Sequence, residues 1–145
     1  MSRLSDGRRN ILIVDDEQGV RDVLCDVLGV YYNCLAVSSA EEALANLDGK
    51  QLIISDITMN GMSGFALLQL ALERAPETVF LMISGLETME SSLEALRLGA
   101  FDYLMKPFDL DDIEAAVKRA FEHHDRRNAK PHILSREEFQ PALAC

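Results

Sequence analysis

Four places along the 145-residue chain carry side chains suited to phosphoryl chemistry: the acidic run Asp15–Asp16–Glu17, the solitary Asp56, Ser84 followed by Gly85, and Lys106. If Asp15, Asp16 and Asp56 share one crevice, their charges must be compensated. Two unit charges about 4 Å apart repel by roughly 4 kcal/mol at an effective dielectric near 20. Either one acid holds a proton or a divalent cation lies among them. An all-oxygen donor set with room for water and a phosphate suits Mg²⁺ better than zinc or a full Ca²⁺ cage. The three aspartates set against Mg²⁺ and Lys106 come to formal neutrality. Phosphoryl transfer needs an in-line nucleophile and fixed cations where charge lies on the oxygens. Asp56 is the candidate nucleophile because it stands alone, whereas Asp15 and Asp16 are adjacent and better placed to ligate metal. Its attack on phosphorus gives an acyl phosphate. Ser84 can donate its hydroxyl to a phosphoryl oxygen, and Gly85 leaves open the space through which the group arrives.

Taken singly, each feature has a plainer reading: an aspartate after a strand is usually a turn or cap residue, and a Lys-Pro pair is usually a loop. Their conjunction, in four loops and in this order, points to chemistry.

These residues follow short apolar runs. Ile11–Val14, Cys34–Val37, Leu52–Ile54, Val79–Ile83 and Tyr103–Met105 are bounded by polar or turn residues, as buried strands are. Between them the period becomes helical. Val20, Val23, Leu24, Val27 and Leu28 make one apolar face. Ala40, Ala43, Leu44 and Leu47 make a second, opened by the capping-box pattern Ser39-x-x-Glu42 and closed by Gly49. Phe65, Leu68, Ala71 and Leu72 form a third, which stops before Pro76. Met89, Leu93 and Leu96 run to Gly99, and Leu110, Ile113, Val117, Ala120 and Phe121 follow Asp109 as N-cap. Five strand–helix pairs predict a doubly wound α/β fold, a five-stranded parallel sheet with helices on both faces. In such sheets ligands bind beyond the carboxyl ends of the strands, where the four chemical positions fall.

A chain of this length can bury enough surface for one stable domain. Hydrophobic residues are 48% and charged residues 26%, an ordinary globular balance. The formal net charge of -10 disfavours direct nucleic-acid binding by this fragment. Cys25, Cys34 and Cys145 have neither zinc spacing nor an even number, which suits a reducing cytoplasm. The apolar runs are far shorter than the roughly 20 residues that span a bilayer, and Met1–Asn10 has no signal-peptide core. His123 and His124, on a polar stretch ending the last helix, are expected to be solvated.

The sequence resembles the response-regulator receiver family of two-component signalling. The resemblance rests on Ile11-Leu-Ile-Val-Asp-Asp-Glu17, Ile54-Ser-Asp-Ile-Thr-Met59, Met62-Ser-Gly64, Ile83-Ser-Gly85 and Gly99-Ala-Phe-Asp-Tyr-Leu-Met-Lys-Pro-Phe108. It covers residues 10–125, leaving 1–9 as a disordered N-terminal segment and 126–145 as a helix extension with a flexible tail or linker. It implies a flavodoxin-like sheet of order 2-1-3-4-5. By the resemblance, Asp56 accepts a phosphoryl group from a sensor histidine kinase, a histidine phosphotransfer protein or a small phosphodonor. Asp16 and Asp56 bind Mg²⁺ directly with the Thr58 backbone carbonyl, Asp15 contributes through water, and Lys106 and Ser84 contact the phosphoryl group. Ser84 and Tyr103 are the coupled switch positions that reshape the surface of the fourth helix, fifth strand and fifth helix. Thr58 and Leu86 tune dephosphorylation, and the Lys106–Pro107 bond is cis. The protein is then a cytoplasmic signalling switch rather than an enzyme, with homodimerisation through the fourth and fifth helices. It is expected to be a stand-alone receiver or the first part of a longer regulator.

One departure is visible: Asn60 stands where the family usually has proline. Two other functions compete. An aspartyl phosphohydrolase commonly carries a second acid two residues after its nucleophile, where this chain has Thr58. A phosphate-independent binding module would not need every chemical position filled.

Overall fold

The computed structural model describes residues 7–85 and 89–129, with the backbone only at Met89. Leu86 and Cys145 therefore lie outside the described residues, as does most of the expected tail. Five strands, β1 (Asn10–Val14), β2 (Asn33–Val37), β3 (Leu52–Asp56), β4 (Val79–Ser84) and β5 (Asp102–Met105), alternate with five helices. The helices are α1 (Gln18–Leu28), α2 (Ala40–Leu44), α3 (Gly64–Arg74), α4 (Met89–Arg97) and α5 (Leu110–Arg127). All strand pairs are parallel, in the order β2-β1-β3-β4-β5. This is the expected doubly wound sheet, and the order is the one that the resemblance implies.

The continuous apolar strands are explained by burial on both faces. Alternate residues Leu12, Val14, Ile53, Phe80 and Met82 join a core with α2, α3 and α4. Ile11, Ile13, Leu52, Ile54, Leu81 and Ile83 join a second core with α1 and α5. Each fully buried large aliphatic or aromatic side chain contributes about 1.5–3 kcal/mol. Each strand except β2 and β5 is buried along almost its whole length; those two form the edges.

The observed strands exceed the apolar runs by one or two residues, taking in Asn10, Asn33, Ser55, Asp56, Ser84 and Asp102. Ladder bonds use backbone groups, so polar side chains can end a run of burial without ending the strand. Helix α2 is shorter than its apolar pattern. Ser39 accepts a hydrogen bond from the Glu42 amide, but the Glu42 carboxylate turns to the Ser38 amide, one residue outside the expected box. The Asn46 side chain takes the Glu42 carbonyl, ending the helix while Leu47 still reaches the core. Asp109 occupies the N-cap of α5 without a side-chain cap bond.

The expected apolar face of α4 is turned outward: Leu93 and Leu96 are 58% and 44% exposed, and Ala95 is the residue that packs inward. The helix lies by the edge strand β5, where a small side chain permits close approach and the leucines overhang solvent. At the other end of the sheet, Arg9 makes a bidentate ion pair with Asp125 at 2.7 and 2.8 Å and lies over the Phe121 ring. The chain is thus anchored before Asn10. His123, expected in solvent, instead stacks on Phe101, with ring centroids 4.8 Å apart. Among the described residues no helix is long and apolar enough to cross a membrane.

Gly64 fixes the route from β3 into α3. A Cβ there would lie 2.1 Å from the Asp56 carbonyl oxygen and 2.8 Å from the Ile57 Cα. Its amide donates to the Ile57 carbonyl at 2.7 Å, holding the helix start against the end of β3. Gly64→Ala should lower unfolding stability by about 1–3 kcal/mol through overpacking against backbone. Urea denaturation checks this, and an unchanged midpoint would contradict the close approach.

Candidate functional site

Strand register brings the chemical residues to one edge. Val14, Ser55, Met82 and Tyr103 lie in one row across the sheet, and Asp56, Ile83 and Leu104 in the next. Asp15 continues β1 beside Asp56, Ser84 pairs with Met105, and Lys106 follows at once. The Lys106 amide donates to the Ser84 carbonyl at 2.8 Å, extending that pairing. The Lys106–Pro107 peptide bond is cis, as the resemblance implies.

Lys106 Nζ is the hub of the site. It lies 2.9 Å from Glu17 Oε1, 3.0 Å from Asp15 Oδ2 and 3.2 Å from Asp56 Oδ2. Burial works against its charge, but the contacts with Glu17 and Asp15 and the charges of Asp15 and Asp56 outweigh this and raise its pKa. Asp56 is 5% exposed, and burial together with the Asp15 charge raises its carboxyl above the ordinary range despite Lys106. Glu17, exposed at the rim, is held lower by its hydrogen bond to Lys106.

The donor set fits a hard cation. One carboxylate oxygen from each of Asp15, Asp16 and Asp56 lies within 4.8 Å of the others. Asp15 is fully buried, and its Oδ2, although ion-paired with Lys106, accepts no properly directed hydrogen bond. A carboxylate oxygen with one ammonium beside it keeps lone pairs that a hard cation can take. Asp15 Oδ1 accepts from the Glu17 amide, and Arg21 donates to the Asp15 carbonyl, so the loop after β1 is held in place.

Ser84 is buried, and Tyr103 packs half-buried against the core. Burial raises the Tyr103 pKa. Among the described residues, a Cβ on Gly85 would meet nothing within 4 Å. Thr58 is exposed two residues past Asp56. Every described residue expected at the site lies at this edge. Glu17, the last residue of the acidic run after β1, makes the shortest contact with Lys106, and its adjacency to two aspartates is the signal that the sequence offers for it.

A family model described as the response regulator receiver domain matches residues 11–118. The chain belongs to the response regulator receiver family. As a receiver, it is 35% identical over 126 residues to the DNA-binding transcriptional regulator NtrC of Salmonella typhimurium, covering 85% of this chain and 27% of that protein. It is 32% identical over 136 residues to the transcriptional regulatory protein ZraR of the same organism, covering 92% of this chain and 31% of ZraR. The chain thus spans between a quarter and a third of these curated relatives. A CheY-like receiver domain structure from Methanospirillum hungatei superposes with a TM-score of 0.79 at 28% identity, covering 84% of this chain and all of that one. NtrX from Brucella abortus gives a TM-score of 0.78 at 33% identity, covering 83% of this chain and 28% of that structure.

The raised Asp56 carboxyl means that the folded receiver binds a proton more readily at Asp56 than the unfolded chain does. Ionised Asp56 therefore costs stability as pH rises through its folded pKa. Asp56→Asn should raise stability at neutral pH in buffer without divalent cations, and the gain should vanish as pH falls through that pKa. Denaturation curves across the acid range test the sign; a variant less stable than wild type at neutral pH would contradict it.

Proposed function

We propose that this receiver is a phosphorylation-activated switch in a two-component phosphorelay, with Asp56 as phosphoacceptor. The observation that carries this reading is the meeting of three aspartate oxygens with Lys106 Nζ 3.2 Å from Asp56 Oδ2 at the carboxyl edge of the sheet. The donor is a phosphohistidine of a sensor histidine kinase or histidine phosphotransfer protein. An Asp56 carboxylate oxygen attacks phosphorus, the phosphorus–nitrogen bond breaks, and the imidazole leaves as the acyl phosphate forms. Asp15, Asp16 and Asp56, with the Thr58 carbonyl, are the residues to hold Mg²⁺. When bound, Mg²⁺ neutralises charge on phosphoryl oxygens.

Lys106 must then loosen its hold on Glu17 and Asp15 to reach a phosphoryl oxygen. Ser84 donates its hydroxyl to another, and Tyr103 repacks. Tyr103 pairs with Met82, two residues before Ser84 on the neighbouring strand, which supports their assignment as a coupled switch. The surface they adjoin exposes Leu93, Leu96 and Leu110, apolar side chains suited to homodimerisation through α4 and α5. Thr58 and Leu86 are assigned to tuning dephosphorylation. We place the receiver at residues 10–125, the helix extension and tail or linker at 126–145, and the protein in the cytoplasm. In this role it assists its own phosphorylation and dephosphorylation without turning over a separate substrate.

Incubation with Mg²⁺ and acetyl phosphate should add the mass of one phosphoryl group to wild type and none to Asp56→Asn. Lys106→Ala should lose most phosphorylation-dependent change while keeping the fold. Intact-mass spectrometry reads the addition, and wild type without any mass gain would overturn the assignment. Sustained hydrolysis of phosphate esters would instead favour an aspartyl phosphohydrolase.

A further inference from the structure

We propose that the backbone amide of Asn60 is a positioning group for the cation site, orienting the Asp16 carboxylate; the inference rests on the cation role given above to the three aspartates. Each of these carboxylates is pinned by a protein donor. Asp15 Oδ1 accepts from the Glu17 amide at 2.9 Å. Asp56 Oδ2 accepts from Lys106 at 3.2 Å. Asp16, nearer solvent on the loop after β1, has its Oδ2 held by the Asn60 amide at 3.2 Å, from a residue 44 positions away.

The donor is aimed by the loop and not by the asparagine side chain. Just beyond Asn60, Gly61 turns the chain with φ of 81° against the Glu41 carboxylate. The Met62 amide donates to Glu41 Oε2 at 3.4 Å. Farther on, Gly64 seats the start of α3 against β3. With both sides of the loop fixed, the Asn60 N–H points at Asp16. A hydrogen bond to a carboxylate is charge-assisted, and such outer partners set the direction in which a ligand presents its free oxygen. Proline has no N–H. Asn60 therefore supplies a contact that the proline usual in the family at this position cannot make.

Two variants separate the amide from the side chain. Asn60→Ala keeps the N–H; Asn60→Pro removes it with a residue that the family itself carries there. Mn²⁺ binding to the unphosphorylated full chain, read from the electron paramagnetic resonance signal of free ion and competed with Mg²⁺, should be equal for wild type and Asn60→Ala. It should be weaker on the order of tenfold for Asn60→Pro. Equal binding by wild type and Asn60→Pro, or equal losses in both variants, overturns the proposal while leaving the cation site intact. Failure of wild type to bind overturns the cation role itself, and this inference with it. If Asn60→Pro unfolds, amide hydrogen exchange decides: the Asn60 amide should exchange more slowly in wild type than in Asp16→Ala, and equal rates overturn the proposal.

Discussion

Asp15 and Asp56 are almost wholly withdrawn from water at the ends of neighbouring parallel strands, where the charge of Asp15 makes ionised Asp56 costlier. Lys106 offsets that cost from the end of β5, and Glu17 leans in from the rim to hold the ammonium. Carboxylates at this spacing need opposite charge among them. The same charges make the crevice able to hold a cation.

The rest of the molecule serves this edge. Parallel pairing in the order β2-β1-β3-β4-β5 places β1 and β3 side by side at the centre, so their carboxyl ends bring the acids together without any long-range loop. Two apolar cores, one on each face, keep the strands from sliding, since a one-residue slip would turn buried side chains outward. Gly64 then lets α3 begin against the Asp56 backbone.

Much of this was legible in the sequence because two periods and a few turn residues carry it. Apolar runs marked each strand, and the polar residue after each marked the functional edge. The misses share one cause, which is that side-chain pattern does not report local competition for hydrogen bonds or the proximity of a sheet edge. Asn46 cut α2 short by taking the Glu42 carbonyl, and Glu42 chose Ser38 over the expected box. Leu93 and Leu96 read as a core face, yet Ala95 packs inward beside the edge strand. His123 looked solvated until Phe101, distant in sequence, supplied a ring to cover it. Glu17 and the Asn60 amide acquired roles only through contacts across the fold, 89 and 44 residues away.

The central claim concerns which oxygen receives the phosphoryl group, and trapping the product reads it most directly. Borohydride reduces an acyl phosphate to the alcohol, converting a phosphorylated aspartate to homoserine. After exposure to acetyl phosphate and Mg²⁺, peptide mass spectrometry should find that conversion at Asp56 alone and lose it when Mg²⁺ is chelated. Conversion at Asp15 or Asp16, or a yield at Asp56 indifferent to Mg²⁺, would contradict the account.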